Sequence, residues 1–152
     1  SAARSAGFDL ARGEWIVSLC CHLQNDPADL PAMLEIVKNA EADVVCGWRV
    51  DRKDRAADVK IPSLMGNWFI RQMTGVRMHD YGCALRVFNA EFAKGLTLYG
   101  ELHRFIPVLV HQMGAKLKEV PVQHHARERG VSKYNVTKAP RVLLDLLLMF
   151  FF

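Results

Sequence analysis

Apolar residues recur along this chain at two spacings, and the change from one to the other marks the elements. From Ala2 to Ala11 alanine, leucine and arginine stand at helical density, and Gly13 predicts the stop. Trp15 to Leu19 is an apolar, β-branched run of strand length. Asp26-Pro27 predicts a helix start, with Asp26 as N-cap and Pro27 at the first helical position. Leu30, Met33, Leu34 and Val37 continue that helix as one apolar stripe, to about Ala40. Asp43 to Trp48 reads as a second buried strand. Strand, helix and strand with tight connections predict a βαβ unit with parallel strands and a right-handed crossover.

The pattern breaks at Arg49–Lys60, where charges of both signs crowd together without apolar periodicity, as in a surface loop. Pro62 to Thr74 is helical and closed by Gly75. Its apolar residues (Leu64, Met65, Trp68, Phe69, Ile70, Met73) cover more than one face, which suits deep packing or contact with lipid. His79 to Cys83 is a turn, Ala84 to Phe88 a strand and Glu91 to Lys94 a short helix; Glu101 to Gln112 is a longer helix ended by Gly114. Lys116 to Val122 alternates like a strand with one wet face, and Pro121 predicts an edge position. His124 to Lys133 is a second basic loop. From Val136 the pattern is helical, and Val142–Phe152 is apolar except for Asp145. That stretch is shorter than the roughly 20 residues a bilayer requires, so it is expected to be an interfacial helix or the start of a span. The domain expectation is one α/β unit over residues 1–139, followed by the apolar segment 140–152.

A chain of 152 residues suffices for one domain with a core. The net charge of +4 is too small to imply a nucleic-acid partner. Of the four cysteines, Cys20 and Cys21 are adjacent and no C-x-x-C pair occurs, which fits a reducing compartment rather than a disulfide framework. Ser1 to Gly7 lacks the apolar region of a secretory signal. The chain opens inside a helix without an initiating Met, as expected of a fragment.

In open α/β sheets, ligands bind where strands end and turn toward helices. Cys20, His22 and Gln24 stand at such an edge and alternate, so all three can point the same way. Thiolate and imidazole suit zinc, but a structural site needs four ligands, and no second Cys/His cluster lies at finger spacing. A packed strand end is the plainer reading. Arg49 and Arg52 follow one strand; Arg127, Arg129 and Lys133 follow another. Guanidinium forks match phosphate oxygens in pairs, and Gly130 and Ser132 would let backbone and hydroxyl donors approach the same anion. Solvated charged loops are the plain alternative, yet an apolar helix follows each loop, the pairing a lipid phosphate needs. Asp80, in a Gly-containing turn, is a candidate base or sugar-hydroxyl acceptor, or an Asx-turn residue satisfying its own backbone. His103, His124 and His125 have no partner identifiable from the sequence.

Six blocks then carry a resemblance: Leu23-Gln-Asn-Asp-Pro27, Val45-Cys-Gly-Trp-Arg49, His79-Asp-Tyr-Gly-Cys83, Tyr99-Gly-Glu-Leu-His-Arg-Phe-Ile-Pro107, Glu119-Val-Pro-Val122 and Gly130-Val-Ser-Lys-Tyr134. In order and spacing they resemble the polyprenyl-phosphate glycosyltransferases, the dolichol-phosphate mannosyltransferase-like members of glycosyltransferase family 2. The resemblance implies a GT-A-like α/β fold, a mostly parallel sheet flanked by helices, without the family's N-terminal strand and loop. It implies an inverting transfer of a hexose from a nucleotide-sugar to a polyprenyl phosphate, at the cytoplasmic face of a membrane. A truncated or degenerate homologue that keeps the fold and phosphate binding without catalysis is the alternative. By position, Arg49, Arg52 and Ser63 would face the acceptor phosphate. Arg127, Ser132 and Lys133 would close over the donor diphosphate, and Asp80 would contact the sugar or tune the attack. Members hold Mg²⁺ or Mn²⁺ with an Asp-x-Asp motif, with Gln24 at a candidate third metal contact. Here Cys20-Cys21-His22 replace that motif, and hard cations prefer oxygen, so the metal site is expected to be lost or altered.

Overall fold

The computed structural model describes residues 2–22, 24–51 and 67–125. Helix α1 (Ala2–Leu10) leads into strand β1 (Trp15–Ser18). Phe8, the buried residue of α1, meets Phe88 edge to face at 5.2 Å. Gly13 does not stop α1 in the left-handed conformation: among described glycines only Gly75, Gly100 and Gly114 have positive φ. A side chain at Gly13 would instead come within 3.0 Å of the Trp15 carbonyl, so close approach is what needs glycine there.

Asp26 caps the next helical segment as expected, its Oδ1 accepting from Ala28 N–H at 2.9 Å. A 3-10 turn (Pro27–Asp29) passes into α2 (Leu30–Lys38), which buries Met33 and Val37. Strand β2 is Val44–Arg49, and α3 spans residues 67–74, ended by Gly75 at φ +70°. Strand β3 (Arg86–Asn89) runs directly into α4 (Ala90–Lys94), capped by the Asn89 side chain on Glu91 N–H. The helix expected over Glu101–Gln112 is divided into a 3-10 turn (Leu102–Arg104) and α5 (Ile106–Gln112). Pro107 explains the division, because it lacks the N–H that would bond the His103 carbonyl four residues back. That carbonyl accepts from Arg86 Nη1 instead, at 3.4 Å. Strand β4 (Leu117–Val122) closes the described part.

The sheet order is β1-β3-β2-β4. β3 runs antiparallel to both β1 and β2, while β4 lies parallel to β2 from Val44↔Leu117 to Arg49↔Val122. Three strands therefore share a direction and the fourth opposes them from inside the sheet. The expected βαβ unit needs correction. β1 and β2 point the same way, but β3 separates them. The reason is burial: Val87 and Phe88 of β3 are wholly enclosed, so that strand is covered on both faces and takes an inner place. Pro121 sits on edge strand β4, as expected.

Alternation sorts the sheet's side chains onto two faces. Ile16, Phe88, Val44 and Cys46 pack with Phe8, Ala93, Phe105, Ile106 and Val110 beneath α1, α4 and α5. Val45, Val87 and Leu85 pack with Met33 and Val37 of α2. An open sheet with helices on both faces is the α/β architecture expected, but the expectation of a mostly parallel sheet needs correction among the described strands: two of the three pairings are antiparallel because β3 lies between β1 and β2. Arg86 is the charged exception to this apolar packing, at 2% exposure on β3.

Candidate functional site

The direction of the strands decides where chemistry gathers. β1, β2 and β4 release their chains at one end of the sheet, toward Cys20, Arg49 and His124, and the loop entering β3 arrives at that same end with Asp80. Arg49 and Asp80 meet there. Arg49 donates from Nε to Asp80 Oδ2 at 2.6 Å and from Nη2 to Oδ1 at 2.9 Å, a two-pronged pair. Its backbone N–H reaches Oδ2 at 3.3 Å, and Gly82 N–H donates to Oδ1 at 3.1 Å. Asp80 is buried, so the pair is shielded from water. Gly82 is needed for the fit, since a Cβ there would lie 3.2 Å from Arg49 Nη2.

Glu119 of β4 fixes the loop that presents Asp80. Its carboxylate accepts from Asp80 N–H at 2.8 Å, from His79 N–H at 2.9 and 3.0 Å, and lies 2.9 Å from His79 Nδ1. The His79 ring stacks on Trp48, centroids 4.3 Å apart. Asn67 at the start of the described part of α3 donates to the His79 carbonyl at 2.8 Å, tying that helix to the same loop.

The Gln24-Asn-Asp-Pro27 stretch supports the chain leaving β4. Asn25 pairs with His124 across an isolated bridge, and Gln24 O accepts from His125 N–H at 2.9 Å. Asp29 Oδ2 accepts from Gln123 N–H at 2.8 Å, and Asp26 Oδ2 lies 3.4 Å from His125 Nε2. A hollow of about 350 Å³ opens among Asp29, Val50, Asp51, Val122, His124 and His125, between the exits of β2 and β4. A larger one, about 720 Å³, lies on the other side of the sheet end, between α1, β1 and His103.

Of the residues singled out from sequence, Arg49 and Asp80 are brought into direct contact. Arg52, Ser63, Arg127, Ser132 and Lys133 lie outside the described residues, as do Pro62–Gly66 and the apolar segment 140–152. Cys20 is half-buried, Cys21 and His22 are exposed, and Gln24 contributes its main chain to the His125 contact. A thiol, an imidazole and an amide do not make an oxygen-rich site for Mg²⁺ or Mn²⁺, and no group of three or more His, Cys, Asp or Glu side chains suited to a metal occurs among the described residues. Burial pushes the Cys46 thiol up to about 12 and raises Cys83 as well, so neither is a nucleophile. Glu119, His79, Trp48, Arg4 and Arg86 were not among the sequence candidates. For Arg86 a signal existed: a cation inside an otherwise apolar inner strand.

Residues 1–95 match Glycosyl transferase family 2, and the chain belongs to that family. It is 46% identical over 154 residues to the dodecaprenyl-phosphate galacturonate synthase of Rhizobium johnstonii, covering all of this chain and 46% of that protein. It is 34% identical over 145 residues to the undecaprenyl-phosphate 4-deoxy-4-formamido-L-arabinose transferase of Pseudomonas aeruginosa, covering 95% of this chain and 42% of the relative. The enzyme of the same name from Edwardsiella ictaluri is 35% identical over 141 residues, at 93% and 43% coverage. The chain thus spans somewhat less than half the length of the curated relatives it matches.

Proposed function

We propose that this chain is the later part of the catalytic domain of an inverting glycosyltransferase that moves a hexose or related sugar from a nucleotide-sugar to a polyprenyl phosphate at a membrane surface. The observation that carries the reading is the Arg49–Asp80 pair, a guanidinium held in fixed orientation at the carboxyl end of β2. The chain leaving β4 starts beside it, because Arg49 is paired with Val122. Names of the relatives support a polyprenyl phosphate acceptor and point to galacturonate or 4-deoxy-4-formamido-L-arabinose as sugars to test.

The chemistry suits such a site. A phosphate monoester with a second pKa near ~6 is largely dianionic at neutral pH. One of its oxygens attacks the anomeric carbon, the bond from that carbon to the diphosphate oxygen breaks, and the nucleoside diphosphate leaves. No strong base is needed. The protein's work is to bring two anions together and stabilise the leaving group. In this reading Arg49, Arg52 and Ser63 take the acceptor phosphate, Arg127, Ser132 and Lys133 cover the donor diphosphate, and Asp80 orients Arg49. Residues 1–139 carry the chemistry, and residues 140–152 lie in or enter the bilayer at its cytoplasmic face.

The test is transfer of labelled sugar from a panel of UDP- and GDP-sugars into organic-soluble lipid, with undecaprenyl phosphate in vesicles. Labelled lipid that disappears with Arg49→Ala supports the reading. Cys20 and His22 in place of two carboxylates favour a second reading, a homologue that keeps phosphate binding without transfer. Vesicle binding that depends on Arg49 without product would select it, and loss of both would remove both readings.

A further inference from the structure

The segments 48–49 and 79–80 are joined by two adjacent rungs. One is the Arg49–Asp80 pair; the other is the stack of His79 on Trp48, ring centroids 4.3 Å apart and planes inclined by 18°. A carboxylate from a third element holds the second rung. Glu119 is the partner of Cys46 in the β2–β4 register, and Trp48 follows Cys46 by two residues, so both side chains leave the same face of the sheet. Glu119 accepts from the backbone N–H groups of His79 and Asp80, and its Oε2 lies 2.9 Å from His79 Nδ1. A carboxylate only accepts, so Nδ1 carries the proton of that bond. The ring is thereby fixed at one nitrogen and along one face, while Asn67 of α3 holds the His79 carbonyl. Nε2 has no hydrogen-bond partner among the described residues, and the side chain is 58% exposed. Packing on Trp48 needs only an aromatic ring. A ring turned by a carboxylate, with its second nitrogen left open to solvent, is suited to binding or carrying a proton.

We propose that His79, oriented by Glu119 and Trp48, is a further binding residue for the acceptor, its Nε2 taking one oxygen of a prenyl phosphate monoester beside Arg49. That this ligand accepts a sugar rests on the transferase reading; the contact between Nε2 and the monoester does not. The chemistry fits in either protonation state. A neutral ring accepts from the P–OH of the monoanion, and an imidazolium donates to the dianion. Both descriptions hold the same number of protons, so one proton is shared between Nε2 and the phosphate oxygen. A monoester near its second pKa of ~6 therefore binds without first giving a proton to water. When another of its oxygens attacks the anomeric carbon, that proton stays on Nε2, and the electron pair of the broken C–O bond leaves with the nucleoside diphosphate. The product is a diester with a single charge and no P–OH. His79 thus separates the acceptor from the product.

Two-bond ¹H–¹⁵N spectra of the full chain report the ring nitrogens of its six histidines, with His79 assigned by the signal missing from His79→Phe. Titration with a short-chain prenyl monophosphate should move the His79 Nε2 signal saturably. The prenyl alcohol and the methyl diester of the same phosphate should leave it in place, and inorganic phosphate should move it less at equal concentration. His79→Phe keeps a ring on Trp48 and deletes both nitrogens, so it should weaken monophosphate binding roughly tenfold, the equivalent of one charged hydrogen bond. His79→Gln, whose amide reaches the place of Nε2, should recover part of that loss, with circular dichroism to confirm the fold of both variants. An Nε2 signal that ignores the monophosphate, an equal response to the alcohol, the diester or inorganic phosphate, or a His79→Phe titration matching the parent would overturn the proposal. In the labelled-sugar assay, His79→Phe should raise KM for undecaprenyl phosphate with kcat nearly unchanged. Transfer whose acceptor KM ignores His79→Phe would sink this contact and leave the transferase standing; a monophosphate response at Nε2 without any transfer would do the reverse.

Discussion

Asp80 has both carboxylate oxygens engaged, by Arg49 on one side and by backbone N–H groups on the other, an arrangement suited to holding a guanidinium rather than collecting a proton. Asp80→Asn would take the carboxylate charge out of the Arg49–Asp80 pair, whose side chains are 14% and 5% exposed, and loss of one partner of a buried pair costs about 3–5 kcal/mol. Urea denaturation should show that loss as a lower midpoint with unchanged slope. His103 gives a pH prediction of definite sign. Burial, and then the charges of Arg4 and Arg104, depress its pKa to about 4, below the value of an unfolded histidine. The unfolded chain therefore binds the extra proton between about pH 6.5 and 4, and stability contributed by the neutral ring is lost as pH falls through that window. His103→Gln should flatten the acid limb of a stability–pH profile; an unchanged limb would remove His103 as its source. The sequence exposed Asp80 as an Asx-turn or functional residue, and the Gly82 contact makes it the first while Arg49 adds a second partner. Glu119 was hidden for a plain reason: its partners His79 and Asp80 stand 40 and 39 residues away, and only the β2–β4 register brings them together.

The end of α2 shows the same division between local and distant information. Glu41 N–H bonds Ile36 O at 3.1 Å and Ala40 N–H bonds Val37 O at 3.1 Å, the two bonds of a Schellman motif, with Ala40 at φ +55° where glycine is preferred. An alanine held left-handed carries about 1 kcal/mol of strain. Ala40→Gly should therefore raise the unfolding free energy by about 1 kcal/mol and Tm by about 2–4 °C, measured by thermal denaturation. A fall in Tm would mean that the entropy of the added glycine outweighs the strain. Local signals of this kind made most elements legible: the Asp26 cap, the α2 stripe, the stop at Gly75, and Pro121 on an edge. Strand order was not legible. Placing β3 between β1 and β2 depends on Val87 and Phe88 being covered from both sides, which no window around β1 and β2 contains. The break at Phe105 was readable in principle from Pro107, but the apolar periodicity on both sides masks it.

At the scale of the molecule, the sheet end that carries Arg49 is tied to α3, whose outer side leaves a large apolar side chain uncovered. α3 packs through Ile70 into the core and is anchored to the Asp80 loop by Asn67 and by Arg71, which donates to Met78 O at 2.7 Å. With that side fixed, Trp68 points outward at 62% exposure, a large apolar group that the fold leaves uncovered. Among the described residues no helix is long and apolar enough to cross a membrane. Tryptophan suits the headgroup level, its ring apolar and its N–H still able to find a partner there. Burying such a side chain contributes about 1.5–3 kcal/mol, so Trp68→Ala should weaken partition onto vesicles roughly tenfold to a hundredfold. Co-sedimentation with vesicles containing polyprenyl phosphate measures this, with Met113→Ala as the control for an exposed apolar residue elsewhere on the surface. Equal losses from the two substitutions would reduce the effect to general stickiness. A loss confined to Trp68 would place the membrane on the α3 side, where the Asn67–His79 contact links the bilayer surface to the loop that holds Arg49.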